Sequence, residues 1–450
     1  MGIDAPDAKL NDFMTQTIGK LWQQYCMSRD ALRARAVSAI QDAGVRVPNG
    51  TKGALFPDNT ITLPDNFTRD YRFDGLEGIG LAAEPVDEHT FRITGRPASA
   101  GDYDITISCD YDGRLDDEPR AAYTFRLIIN PDPRSLWKDI PTNRDIPYFK
   151  PDAASQYIKV PQGRDVVAAS RRGRSHANEG KPRDDDFGIR YLNESGWYIL
   201  SVCDGAGSAA YSRKGAELAC ASVTDFCSNE LSHPEELEKA ISAYVSAEDK
   251  SEATRAINNL IYSILGGAAF KAHRDITAMS KSAGIPLKDF STTLLLAVCK
   301  KFDFGWFVAT YWVGDGALAI YDRPSHRVRI MGVPDEGEYS GQTRFLTMPD
   351  LFRNAQEIQS RLRFALEPEF TALTLMSDGV SDPIFETDVR LNDPAEWDKF
   401  FDRLHEGFPD DGIPGVDLRD DDPNCAEQML VWLDFWSKGN HDDRTLVILY

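Results

Sequence analysis

Five groups of aspartates stand at the ends of apolar runs in the C-terminal two-thirds of the sequence. They are Asp184-Asp185-Asp186 in RDDDF, Asp204 in WYILSVCDGAGSA, Asp315 in VATYWVGDGALAIY, Asp378 in TALTLMSDGVSD, and Asp442-Asp443 in NHDDRTLVILY. Three of them read apolar strand, Asp, Gly. The Asp leaves the strand end and the Gly permits a tight turn beside it. A lone Asp-Gly is a turn signal and nothing more. Three behind strongly apolar strands, with two acidic clusters besides, could bring several carboxylates to one point. Converging carboxylates repel unless a cation neutralises them. An all-oxygen set selects Mg²⁺ or Mn²⁺ over zinc. Two such ions about 3.5–4 Å apart suit phosphoester hydrolysis, because they acidify a shared water and hold the phosphate oxygens. No covalent enzyme intermediate is then needed. The sequence carries neither a Cys-x5-Arg loop nor a DxDxT nucleophile pattern.

The elements that must position these acids begin near Gly188. Strands are expected near Gly188–Tyr191, Trp197–Asp204, Ser291–Cys299, Trp306–Val313, Ala317–Tyr321, Arg327–Met331, Ala372–Ser377 and Thr445–Leu449. Helices are expected at Ser212–Cys227, Glu235–Ser246, Glu252–Ala283, Asp393–Leu404 and Asn424–Ser437. Strands mostly follow strands and helices come in runs, which predicts an α+β domain with packed antiparallel sheets. Upstream, Leu10, Phe13, Met14, Ile18, Leu21, Trp22 and Tyr25 recur at helical steps, predicting an N-terminal helical segment over 1–45. Residues 46–132 hold short alternating runs broken by Gly, Pro, Asn and Asp, the pattern of a small antiparallel β-sandwich. Residues 133–160 are rich in proline and read as a linker. Residues 161–450 form the remaining domain.

The chain has 450 residues, 42% hydrophobic and 27% charged, which is a globular balance. A net charge of −21 disfavours a nucleic-acid partner and an anionic membrane surface. No apolar run approaches the roughly 20 residues that span a bilayer. The start has acids where a signal peptide needs bases. The seven cysteines are scattered and form no CxxC pair, so neither a disulfide framework nor a zinc site is indicated. A reduced, cytoplasmic chain is expected.

The ordered set RDDDF, DGAG, FSTTLLLAV, VGDG, MSDGVSD and HDDRTLVIL resembles the metal-dependent protein phosphatase family, also called type 2C. The similarity runs from about Gly173 to Tyr450. Ser175, His176, Gly180, Pro182 and Asp184-Asp185 follow the opening of a bacterial branch. The resemblance implies a central β-sandwich flanked by helices, and a hydrolase acting on phosphoserine and phosphothreonine with Mn²⁺ or Mg²⁺. Two ions are implied, with room for a third. Asp185 would be the first-site aspartate and Asp184 its acidic neighbour. Asp204 would bridge both metals and Gly205 would lend its carbonyl. Asp378 and Asp442 would complete the first site, Asp315 would face a third, weaker metal, and Asp382 would stand behind them. Asp443 occupies a position where the family often has Asn. The implied partner is a phosphorylated protein, modified by a cognate bacterial Ser/Thr kinase in a signalling pathway. Within 46–132, Leu76, Gly78, Leu81, Ile93, Gly95, Pro97, Gly101 and Tyr103 follow the cadence of Ig-like or cadherin-like modules.

This sequence departs from the family at three places. Ala206 stands where many members carry a His that protonates the leaving alcohol. Gly180 stands where the phosphate-binding Arg usually lies. GDSR has become GDGA at Gly314 to Ala317. His176 is therefore the candidate catalytic and phosphate-contacting residue, with Arg174 and Arg183 as phosphate-binding candidates behind it, since Arg and His suit phosphate. A weak or inactive phosphatase-like protein that recognises a phosphoprotein is the alternative reading.

Overall fold

The computed structural model describes residues 8–335 and 343–450, so the first seven residues of the expected N-terminal segment lie outside the described residues. The chain divides into two compact units, Met1–Trp137 and Lys138–Tyr450.

In the first unit, helix α1 (Ala8–Asp42) precedes strands β1 (Gly50–Thr51), β2 (Ile61–Thr62), β3 (Thr68–Asp74), β4 (Leu81–Pro85), β5 (Thr90–Gly95), β6 (Gly101–Tyr111) and β7 (Ala121–Asn130). They form a four-stranded sheet, β1-β7-β6-β3, and a three-stranded one, β2-β5-β4. Alternate residues such as Ile105, Ile107 and Cys109 point inward and share a core with Ile61, Leu81 and Ile93, as a pleated strand with one buried face requires. Ala36 and Ile40 of α1 close that core.

The second unit opens with β8 (Ala153–Ile158), β9 (Val166–Arg171), the short helix α2 (Arg174–Glu179), β10 (Asp186–Leu192) and β11 (Trp197–Cys203). Helices α3 (Ser212–Leu231), α4 (Glu235–Ser246), α5 (Ser251–Ile261) and α6 (Gly267–Ala283) follow. Then come β12 (Leu294–Phe302), β13 (Gly305–Val313), β14 (Ala317–Asp322), β15 (Arg327–Ile330), α7 (Ala355–Ser360), β16 (Leu362–Glu367) and β17 (Ala372–Met376). The unit ends with α8 (Asp378–Phe385), α9 (Asp388–Leu391), α10 (Pro394–Glu406), α11 (Asn424–Trp432) and β18 (Arg444–Leu449). Two antiparallel sheets result, β10-β11-β12-β13-β16 and β15-β14-β17-β18-β9-β8.

The strand period of two sorts side chains into three layers. Tyr198, Leu200 and Val202 of β11 face Leu373, Leu375 and Val447 of the other sheet. Trp197, Ile199 and Cys203 face outward onto α3 and α6. On the opposite side, Leu446 and Ile448 meet Trp397, Phe400 and Trp432. The unit is thus a β-sandwich with helices on both outer faces, an α+β architecture.

Three details differ from the sequence reading. The stretch 133–160 contains β8, which pairs with β9 along its whole length. Strand β16, unmarked in the sequence, edges the five-stranded sheet. The helix expected over 252–283 is interrupted by a π turn at Tyr262–Gly266, where Ile358 packs against the bare face of Gly266. Among the described residues no helix is long and apolar enough to cross a membrane.

Candidate metal centre

One end of the sandwich collects the acids. Asp184 and Asp185 immediately precede β10, Asp204 follows β11, Asp378 follows β17, and Asp442 and Asp443 precede β18. Asp315 sits between β13 and β14. In each antiparallel sheet the end of one strand adjoins the start of its neighbour, so pairing β10 with β11 and β17 with β18 delivers both pairs of acids to the same edge.

Hydrogen bonds from backbone and side-chain groups position several of these acids. Thr293 donates from its amide to the Asp204 carbonyl at 2.8 Å, and its hydroxyl accepts from the Asp204 amide at 2.9 Å. Thr292 Oγ1 also donates to that carbonyl, which gives the FSTT segment a structural task. Gly205 bridges to Thr292. Asp185 accepts from Thr445 Oγ1 at 2.7 Å. Behind it, Lys150 Nζ and Arg183 Nη1 both donate to the Asp185 carbonyl, at 2.7 and 2.8 Å. Asp186 opens β10 and pairs with Lys150 at 2.9 Å. Thr343 Oγ1 donates to Asp315.

Two of the Asp-Gly glycines do something other than turn. Neither Gly205 nor Gly379 has a positive φ. A Cβ at 205 would lie 2.7 Å from the Asp184 carbonyl oxygen, and one at 379 would overlap the Asp443 carbonyl. These positions need glycine because another acid-bearing segment passes against them. Asp378 likewise does not sit in a turn: it begins α8, where the helix N-terminus favours a carboxylate.

The electrostatics are those of crowded acids. Burial pushes Asp204 well above the usual carboxylate range, and Asp185, Asp378 and Asp442 push it further. Burial and Asp443 raise Asp185 in the same way. Asp378 is pushed up to about 7 by burial, with Asp315, Asp442 and Asp382 adding to it. Burial and Asp443 also raise Asp442, and burial lifts Asp184 to about 6. Asp443 goes the other way. Burial opposes its charge, but His176 and the amides of Gly173 and Asp184 hold it below the usual range. Asp378 Oδ1 and Asp184 Oδ1 are buried with no hydrogen-bond partner. Buried polar atoms are rarely left unsatisfied, and among the groups that act most on Asp204 every charged one is another carboxylate. This set therefore fits a hard divalent cation. It is not a tight single-ion cage. Among the described residues, the group of three whose oxygens all lie within 4.8 Å of one another is Asp165, Asp420 and Asp421. A pair of ions would instead spread its ligands over about 8 Å, from two 2.0–2.1 Å bonds and a 3.5–4 Å separation. The Asp165 group has partners of its own: Val160 and Asp421 amides donate to Asp165, and Lys159 pairs with Asp421 at 2.7 Å.

The three cationic candidates are placed differently from expectation. Arg183 is fully buried, donating to Ser170, Pro151 and Asp185. It braces the site from within and cannot receive a phosphate. Arg174 pairs through Nη2 with Asp434 and lies 5.4 Å over the Trp436 ring, its Nε without a hydrogen-bond partner. His176 lies between two acids, with Nδ1 3.0 Å from Asp443 and Nε2 3.6 Å from Asp184. Burial opposes its charge, but Asp443, Asp184 and Asp442 outweigh burial and raise it to about 9. It also lines a cavity of about 430 Å³ with Asp184, Lys181, Ala209 and Arg213. Asp443, which the sequence marks as a structural position and not a ligand, accepts from the amides of Gly173 and Asp184 and from His176.

Comparison with known proteins gives one family model, described as protein phosphatase 2C, matching residues 172–420. No curated protein matches the chain. Among solved structures, serine-threonine phosphatase 2C from Toxoplasma gondii is 14% identical, with 66% of this chain and 98% of that one covered at a TM-score of 0.40. Serine/threonine phosphatase Stp1 from Staphylococcus aureus is 14% identical, with 67% and 95% covered at 0.33. The catalytic domain of serine threonine protein phosphatase PstP in complex with two manganese ions is 15% identical, with 66% and 97% covered at 0.34.

Proposed function

Because the chain belongs to the protein phosphatase 2C family, we propose that it is a metal-dependent hydrolase of phosphoserine and phosphothreonine in proteins. The observation that carries this reading is the convergence of buried Asp185, half-buried Asp204 and Asp378 and the more exposed Asp442 at one end of the sandwich, each raised above the usual carboxylate range with neighbouring carboxylates among the causes. Asp204 would bridge two Mn²⁺ or Mg²⁺ ions, with Gly205 offering its carbonyl. Asp185, Asp378 and Asp442 would complete the main site, Asp184 would stand beside it, and Asp315 would face a third ion. Such ions lower the pKa of a water and offset phosphate charge.

The protein's own groups do the rest. Thr292 and Thr293 hold Asp204 in place through its backbone. Thr445 orients Asp185. His176 places Nε2 at the edge of the cavity beside Asp184, where, when protonated, it can face a phosphate oxygen or the leaving alcohol. The substrate would be a protein modified by a Ser/Thr kinase in the cytoplasm.

One observation favours the second reading, a phosphoprotein-binding chain without turnover. Ala206 offers no side-chain acid, and Arg183 is enclosed. The test separates the two. Purified protein with Mn²⁺ should release phosphate from phosphopeptides and p-nitrophenyl phosphate, and Asp204→Ala should abolish release. Phosphopeptide binding without release would establish the second reading.

A further inference from the structure

We propose that the uncovered part of α1 is a dimerisation surface, which pairs with the same helix of a second copy of this chain. The helix has 35 residues, a length of about 52 Å at 1.5 Å per residue. Its apolar stripe runs from Leu10 to Ile40, because residues three, four and seven apart share a side, and is interrupted by Arg29, which pairs with Glu118. Downstream, Leu32, Ala36 and Ile40 pack into the β-sandwich of their own unit. Upstream, Leu10, Phe13, Ile18, Leu21, Trp22 and Tyr25 are each between 42% and 66% exposed. The same stripe is thus covered where the sandwich reaches it and bare where it does not.

The size and chemistry of the bare part select the occupant. These six residues uncover roughly 800 Å² per chain, the share each partner gives to a standard interface of about 1,600 Å². The charges of this stretch, Lys9, Asp12 and Lys20, lie off the arc of Leu10, Met14, Ile18, Leu21, Trp22 and Tyr25, which includes the uncharged Asn11; Lys9 and Lys20 flank Phe13 at its edge. Two identical faces can therefore meet about a twofold axis without burying a charge. A membrane-surface helix would instead carry a Lys- and Arg-rich polar face, and a chain of net charge −21 is repelled by anionic lipid. An isolated stripe of this size is larger than a soluble monomer ordinarily leaves open.

Sedimentation equilibrium on the full chain at about 1–50 µM, the range in which interfaces of this size associate, should give twice the 50.2 kDa chain mass. Ile18→Glu with Leu21→Glu should return it to a single-chain mass, as should Leu10→Glu with Phe13→Glu. Gln16→Glu, on the polar side, should leave the dimer intact. All three variants should keep the wild-type far-ultraviolet circular dichroism spectrum, since the altered side chains are exposed. A wild-type chain that stays monomeric across that range, or a dimer that survives both double substitutions, would overturn the proposal. So would a monomer in which Trp22 is shielded by another part of the same chain.

Discussion

Asp443 and His176 face each other at 3.0 Å in the interior, 267 residues apart in sequence. The same carboxylate accepts from the amides of Gly173 and Asp184. It therefore ties the segment before β10 to the segment before β18, and the acids on both segments inherit their positions from it. Removing one partner of a buried ion pair costs about 3–5 kcal/mol. His176→Gln should lower stability toward chemical denaturant by about 3 kcal/mol. Combined with Asp443→Asn, the loss should be less than the sum of the single losses. Additive losses in that double-mutant cycle would mean that the two side chains do not support each other.

Crowding among the acids leads to a second expectation. On balance Asp378 is disfavoured as a charge in the metal-free protein: burial raises it and Asp315, Asp442 and Asp382 repel it, which a hydrogen bond with Asp204 only partly offsets. Asp378→Asn should raise the melting temperature of metal-free protein by about 2–4 °C, the shift expected for about 1 kcal/mol in a large domain. The same substitution should remove the stabilisation that Mn²⁺ gives the wild type. A lower metal-free melting temperature would mean that the carboxylate is held by something other than a cation.

Glu369 offers a test of charge remote from the cleft. Burial alone would raise its pKa, but Arg164 and Lys301 outweigh burial and bring it down to about 2. Trp306 Nε1 also donates to it at 3.0 Å. A carboxylate depressed in the folded state stabilises above its unfolded pKa, and that contribution is lost as pH falls through the folded value. The stability difference between wild type and Glu369→Gln should therefore be constant from about pH 5.5 to 8 and fall progressively from about pH 5 to 1. The side chain is half exposed, so the difference should be well below that of a buried pair. A difference that does not shrink between about pH 5 and 2 would contradict the assignment.

If the all-β unit serves to find a target, a chain lacking the residues before Lys138 should still hydrolyse p-nitrophenyl phosphate while acting more slowly on its protein substrate. Steady-state rates on both substrates distinguish that role from a purely structural one, which would lower both rates together.

What could be read from the sequence was whatever depends on local pattern. Asp204 and Asp378 stand behind runs apolar enough to be buried strands, and the strands are there. What could not be read depends on who passes nearby. Gly379 looked like a turn residue, yet its conformation is ordinary and the Asp443 carbonyl is what excludes a side chain. Arg183 looked available to phosphate. Its burial is settled by Ser170 and by the carbonyls of Pro151 and Asp185, a set visible only after β9 and β10 are assembled. Strand β8 was hidden because DAASQYI lacks the β-branched density of a central strand; it is an edge strand and needs less.

The link between Asp184 and Asp443, 259 residues apart, also says something about the order of events in folding. Contacts across such separations carry the largest loop-closure cost and form late. A chain that has folded each sheet but not docked the two holds its acids in two separate groups, Asp184, Asp185 and Asp204 beside one sheet and Asp378, Asp442 and Asp443 beside the other. Such an intermediate would be silent toward phosphoproteins, so chemistry would begin only when folding is complete.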